Sequence, residues 1–102
     1  MSEKNLSEQE MFFAAEQYQF NEEFEKASDL YKIILSINPQ NYSSLVNLAL
    51  CVQEFKQHEL ARNLLLSAIK VKPRKPIAYF HLGNLFYGQN ILQKAINCYQ
   101  IT

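Results

Sequence analysis

The 102-residue sequence predicts an all-α solenoid of three helix hairpins, six helices in a row with the last one truncated. Three observations carry this expectation. Residues of matching size recur at a spacing of 34, and a fixed period between about 20 and 50 residues marks a repeat architecture. Within each period the apolar positions fall at helical steps of three and four. Only 2 Gly and 3 Pro occur, too few for the turns of an all-β sandwich or barrel.

The repeat rests on five series. Pro39 and Pro73 are one period apart, as are Ala27, Ala61 and Ala95. Ala15, Ala49 and Gly83 keep a small residue; Tyr31, Leu65 and Tyr99 keep a large one. Ala14, Leu48 and Leu82 complete the set. The chain therefore divides into a lead-in, 1–7, and one domain, 8–102, with repeats 8–41, 42–75 and 76–102.

Each element has its own local cause. Ser7 and Glu10 have the spacing of a capping box for the first helix, which carries Met11, Ala14, Ala15 and Tyr18 on one face. A turn is expected near 21–23, then a second helix with Ala27 and Tyr31, ended by Pro39 because the residue before a proline leaves the helical region. Asn41 is a good N-cap for the third helix, with Leu45, Leu48, Ala49 and Val52. After a turn near 55–57, the fourth carries Ala61 and Leu65 and ends before Pro73, with Lys70 and Lys72 where cations complement the dipole. Pro76 suits the first turn of the fifth helix, which carries Tyr79, Leu82, Gly83 and Phe86 and stops at Gly88-Gln89-Asn90. The sixth, about 91–101, carries Leu92, Ala95, Ile96 and Tyr99. Small residues at Gly83 and Ala95 let paired backbones approach closely. The repeats predict no cover for part of Leu92, Ile96, Tyr99 and Ile101, with Thr102 replacing the usual small residue, so self-association through the last helix, a bound partner or a longer parent chain is expected to supply it.

This pattern resembles the tetratricopeptide repeat, W-x2-L-G-x2-Y, then A-x3-F, then P. The third unit reads Tyr79-x2-Leu82-Gly83-x2-Phe86, then Ala95-x3-Tyr99. The first reads Met11-x2-Ala14-Ala15-x2-Tyr18, Ala27-x3-Tyr31, Pro39; the second reads Leu45-x2-Leu48-Ala49-x2-Val52, Ala61-x3-Leu65, Pro73. The departures are the missing Trp and the lack of Gly at the inter-helix turns of the first two units. The resemblance implies a non-enzymatic interaction module whose concave groove is lined by the first helix of each unit. By that resemblance the peptide-binding positions are Phe12, Phe13, Glu16 and Phe20, then Val46, Asn47 and Leu50, then Ile77, Phe80, His81, Asn84 and Tyr87, with Gln9, Gln19, Ser43, Gln53 and Glu54 beside them. Large apolar groups left over after the core is built suggest a binding face. Tetratricopeptide domains that grip an acidic C-terminal tail use two Lys, one Arg and two Asn. The corresponding positions here are Phe12, Glu16, Asn47, Ile77 and His81, and only Asn47 agrees. An apolar or mixed segment is therefore the expected ligand, not an acidic tail.

A narrower similarity is to the cytoplasmic chaperones of type III secretion translocators, in Phe80-His81-x-Gly83, in Lys94-Ala95-x2-Cys98-Tyr99 and in Phe24-x2-Ala27-x2-Leu30-Tyr31. It implies a groove holding an extended translocator segment. The alternative is a generic adaptor or assembly scaffold, or a fragment of a longer array.

Composition excludes other classes. With 48% apolar and 20% charged residues the chain reads as an ordinary folded domain, not a disordered one. No apolar run approaches the ~18 residues of a membrane span, and no basic start precedes the apolar stretch 11–15, so a cytoplasmic protein is expected. Cys51 and Cys98 form no CxxC and lack a His pair, so neither a metal nor another cofactor is expected and both read as buried free thiols. No GxGxxG, GxxxxGK[ST], HExxH or GxSxG occurs, so no enzyme is expected. His58 and His81 fall on different helices, and Glu22, Glu23 and Glu25 lie where acids complement a helix start. The net charge is zero, which argues against general nucleic-acid binding, and the basic run Lys70, Lys72, Arg74, Lys75 lacks interleaved aromatics. The zero hides a polarity. Residues 1–38 carry eight acids and three bases, net −5; residues 39–102 carry two acids and seven bases, net +5. Solvated surface explains most of it; a dipolar molecule that stacks, or offers a basic edge to an acidic partner, is the sharper reading.

Overall fold

In the computed structural model, which describes residues 6–101, six helices follow one another: α1 (Glu8–Phe20), α2 (Phe24–Ile37), α3 (Tyr42–Gln53), α4 (His58–Val71), α5 (Pro76–Gly88) and α6 (Leu92–Ile101). Residues 1–5 of the lead-in, and Thr102, lie outside the described residues. Helices pair as α1–α2, α3–α4 and α5–α6, and α2–α3 and α4–α5 join the pairs. The molecule measures 54 × 26 × 19 Å. Its radius of gyration, 14.2 Å, exceeds the ~13 Å of a round domain of this length, as a stack of hairpins requires.

The helix starts have specific causes. Ser7 Oγ accepts from the Glu10 amide at 3.0 Å while Glu10 Oε1 accepts from the Ser7 amide at 2.9 Å, a complete capping box. Asn41 Oδ1 accepts from the Ser44 amide at 2.9 Å and caps α3. Pro76 opens α5, whose N-cap, Lys75, makes no side-chain cap. The Ala78 amide instead donates to the Tyr42 hydroxyl at 3.0 Å, so a side chain from the preceding unit satisfies an orphan donor. Glu8, one period before Tyr42, does the related job one unit earlier. Its Oε2 accepts from Asn38 Nδ2 at 3.0 Å and Asn41 Nδ2 at 2.7 Å.

The turns inside the hairpins correct the glycine reading. Glu22, Lys56 and Asn90, spaced by one period, hold positive φ of 63°, 62° and 64°. Each closes a Schellman motif. The amides of Glu23, Gln57 and Ile91 donate to the carbonyls of Tyr18, Val52 and Phe86 at 2.8, 3.1 and 2.8 Å. Those carbonyls belong to the large residue that closes the repeat's first-helix motif. Gly88 merely ends α5, and Asn90 supplies the left-handed turn. Glu22 and Lys56 hold it at a steric cost that Asn tolerates better.

The core follows the repeat. Ala15, Ala49, Ala27 and Ala61 are fully buried, Gly83 and Ala95 nearly so, and Tyr31, Leu65 and Ile34 fill the space beside them. A Cβ on Gly83 would meet Tyr99 Cε1 at 2.6 Å, so the ring of Tyr99 lies directly on the α5 backbone. Tyr99 is packed against the core rather than left uncovered, whereas Leu92, Ile96 and Ile101 are exposed. The sixth helix begins at Leu92, one residue later than the pattern suggests, and the second intra-hairpin turn spans 54–57.

Candidate binding groove

Tyrosines of the second helices reach through the stack and hold the polar groups of the first helices. The hydroxyl of buried Tyr31 (α2) donates to Gln19 Oε1 at 2.7 Å and accepts from Asn47 Nδ2 at 3.2 Å, tying α1 to α3. Burial raises the Tyr31 pKa, so the phenol stays neutral and keeps both bonds. The Tyr99 hydroxyl (α6) donates to Asn84 Oδ1 at 2.7 Å. The Phe12 ring meets Tyr31 edge-on, centroids 5.7 Å apart, and Phe80 stands 5.4 Å from His81 and 6.2 Å from Tyr99.

Three pockets lie along the first helices. One, of about 550 Å³, is lined by Phe12, Phe13 and Glu16 of α1 with Asn41 and Ser43 at the start of α3. A second, of about 590 Å³, continues from Glu16 to Gln19 and Phe20 and reaches Asn47. Glu16 is thus shared, an exposed carboxylate between two apolar walls. The third, about 340 Å³, is lined by Pro76, Ile77, Phe80 and His81 of α5. Burial lowers the His81 pKa from 6.5, so the imidazole is neutral at pH 7 and acts as a half-apolar wall.

Beside exposed Glu16, the other eleven groove positions read from sequence divide four ways. Phe13 (63% exposed), Phe20 (84%), Ile77, Phe80 and Tyr87 are large exposed apolar groups. Phe12 and Leu50 are half-buried against the core, and Asn47, His81 and Asn84 are anchored polar or aromatic neighbours. Val46 is the correction. At 4% exposure it belongs to the core and offers nothing to a ligand. Its counterparts Phe12 and Phe80 sit in the outer units; α3 is flanked on both sides by helix pairs, and that extra cover buries the slot. Leu50, Asn84 and Tyr87 line none of these three pockets. Sequence reading missed the supporting contacts made by Glu8, Tyr42 and Tyr31, although the first two share one slot of the period.

Cys51 and Cys98 are free and buried, and burial pushes the Cys51 thiol up to about 11. Among the described residues no group of three or more His, Cys, Asp or Glu could hold a metal. No helix there is long and apolar enough to cross a membrane.

No protein-family model and no curated protein matches the sequence. Solved structures do. The tetratricopeptide domain of Sgt2 from Aspergillus fumigatus superposes with a TM-score of 0.86 at 28% identity over 92% of this chain and 62% of that one. MamA superposes with a TM-score of 0.86 at 18% identity, over 93% of this chain and 56% of that one. The first tetratricopeptide domain of Spaghetti (RPAP3), bound to the HSP90 peptide SRMEEVD, gives a TM-score of 0.84 at 19% identity, over 89% of this chain and 72% of that one. The chain therefore spans a little over half of MamA and under two thirds of the Sgt2 domain, and the likenesses below 25% identity speak for the fold alone. Three hairpins at a 34-residue period, small-on-large packing at the motif positions and the Sgt2 likeness together give this chain the fold of a tetratricopeptide-repeat domain.

Proposed function

We propose that α1, α3 and α5 form a concave groove that binds an extended, partly apolar protein segment, and that the chain is a non-enzymatic protein–protein interaction module. One observation carries the reading. After the core is built, the exposed aromatic rings carried by helices, Phe13, Phe20, Phe80 and Tyr87, lie on α1 and α5 together with exposed Ile77, beside pockets at both ends of the row, whereas the exposed apolar side chains of α2, α4 and α6 are aliphatic. Aromatics in such positions are the usual anchors of an interface. The peptide bound to the RPAP3 domain supports a peptide ligand here, but an acidic one is disfavoured. Glu16 presents a carboxylate between the two α1 pockets, and Phe12, Ile77 and neutral His81 stand at positions where the acidic-tail clamp has other residues.

The resemblance to translocator chaperones makes a secreted substrate segment the specific ligand we favour over a generic adaptor's partner. Exposed Phe80 beside His81, from that similarity, lines the α5 pocket. Two buried free thiols fit a reducing cytosol. The exposed Leu92, Ile96 and Ile101 of α6 offer a second apolar face, open to a protein partner.

Phage-displayed peptide selection against the chain tests the groove. Enriched peptides are expected to carry spaced apolar residues without an acidic C-terminus. Their affinity, read by fluorescence polarisation, falls about 30-fold in Phe80→Ala, the equivalent of ~2 kcal/mol for a lost anchor. Selected peptides whose affinity is unchanged by both Phe80→Ala and Phe13→Ala place the ligand elsewhere.

A further inference from the structure

Two features of the middle repeat depart from its neighbours, and packing demands neither. The first is Phe55 on the α3–α4 turn, 50% exposed where the other repeats carry Asn21 and Gln89. It lines two adjoining pockets of about 400 and 340 Å³ formed with the start of α2. Their charged walls are Glu22, Glu23, Glu25 and Asp29 against Lys26 and Lys32, net −2. Lys26 is engaged with Glu23 at 3.1 Å, which leaves Glu22, Glu25 and Asp29 facing Lys32 alone. The third repeat fills the four acidic slots with Asn90, Ile91, Gln93 and Asn97, so the fold does not need acids there.

The second feature is the α4–α5 turn. Lys70, Lys72, Arg74 and Lys75 project around exposed Pro73. The first repeat has Ser36, Asn38, Gln40 and Asn41 in those slots, all uncharged. Among the described residues the ion pairs are Lys26–Glu23 and Arg62–Glu59, so none of these four bases is in an ion pair, and Lys75 alone of them stands over a ring, 5.4 Å from the Tyr42 centroid. The acidic pocket cannot serve them within one molecule. It adjoins the N-terminal end of α4 and the bases lie at its far end, 14 residues away, about 20 Å along a helix.

We propose that the Phe55 pocket docks the basic α4–α5 turn of a second copy of the chain, with Pro73 against the Phe55 ring and Lys72 and Arg74 against Glu22, Glu25 and Asp29. The two surfaces are opposite in charge, apolar at the centre, and at opposite edges of the solenoid. That makes the contact heterologous, so each copy keeps one free surface of either kind and the assembly grows head to tail. It is independent of the peptide groove, which lies on the first helices.

Sedimentation velocity on the full chain tests this. Association is expected at ~0.01 M salt and its loss at ~1 M, as the screening length falls from about 30 to about 3 Å. Phe55→Ser removes the acceptor and Lys72→Glu with Arg74→Glu removes the donor. Each variant alone is expected to be monomeric, and an equal mixture of the two to form a 1:1 dimer that grows no further. Glu25→Lys, at an exposed position, replaces Phe55→Ser as the acceptor variant if circular dichroism shows the latter unfolded. A wild-type chain that is monomeric at low salt overturns the proposal. So does association that survives 1 M salt and both sets of substitutions, which would assign it to α6, and so does a mixture that fails to combine.

Discussion

Gly83→Ala puts the contact between the Tyr99 ring and the α5 backbone to a direct test. The added Cβ stands 2.6 Å from Tyr99 Cε1 and 2.8 Å from Cδ1, where carbon atoms prefer about 3.5–4.0 Å. The ring must retreat by about 1 Å. Overpacking of this kind costs ~1–3 kcal/mol. Loss of the Tyr99–Asn84 hydrogen bond adds ~0.5–1.5 kcal/mol, and replacing a mid-helix glycine returns ~1 kcal/mol. The net is a loss of about 0.5–3.5 kcal/mol. The first repeat shows the obvious escape: Ala15 coexists with Tyr31 because that ring sends its hydroxyl to Gln19 and Asn47. In the third repeat the Gln19 slot is Tyr87, which gives a swung Tyr99 a poorer partner. Gly88→Ala is the internal control. Nothing lies within 4 Å of its Cβ, so it should be neutral or stabilise by up to ~1 kcal/mol. Adding Tyr99→Leu to Gly83→Ala recreates the Ala49–Leu65 pair of the middle repeat and should recover much of the loss. Urea midpoints read at constant m-value measure all four proteins. Equal stability of Gly83→Ala and Gly88→Ala would refute the packing argument.

Other expectations follow from single contacts. Tyr31→Phe should cost ~1–2 kcal/mol, because Gln19 and Asn47 lose their shared partner in a part-buried site; urea unfolding of the single variant measures it. Lys56→Gly should stabilise by up to ~1.5 kcal/mol, since a left-handed L-residue costs ~1–2 kcal/mol and the extra unfolded-state freedom of glycine takes back ~0.5–1 kcal/mol. A destabilised Lys56→Gly would mean that the side chain makes a contact the turn needs. Burial lowers the native His81 pKa from 6.5, so the unfolded chain takes up this proton first as the pH falls. The stability this group confers should be complete above the unfolded value, fall as pH drops through 6.5 towards the native pKa, and stay flat below it. His81→Phe should lose that slope in urea midpoints taken across the range.

Helix number and most boundaries were legible because the period, the capping box at Ser7 and the caps at Asn41 and Pro76 are all local signals. The turns misled. Gly88 looks like the turn residue, yet the left-handed conformation falls four residues after each Schellman carbonyl acceptor, at Glu22, Lys56 and Asn90, two of which are poor residues for it. Val46 was misplaced because a slot open in the outer repeats is covered in the middle one, and a repeat pattern treats all three alike. The bridges from Glu8 to the α2–α3 turn, from Tyr42 to the next unit, and from Tyr31 across α1 and α3, join residues 12 to 36 apart. No local window contains both partners.

Amide chemical-shift mapping with a selected apolar peptide tests the central claim most directly. Perturbations are expected to be confined to α1, α3 and α5, strongest around Phe13, Phe20, Ile77 and Phe80, and absent when Phe80→Ala and Phe13→Ala are combined. Shifts centred on α2, α4 and α6, or a peptide that binds the double variant as it binds the wild type, would contradict it.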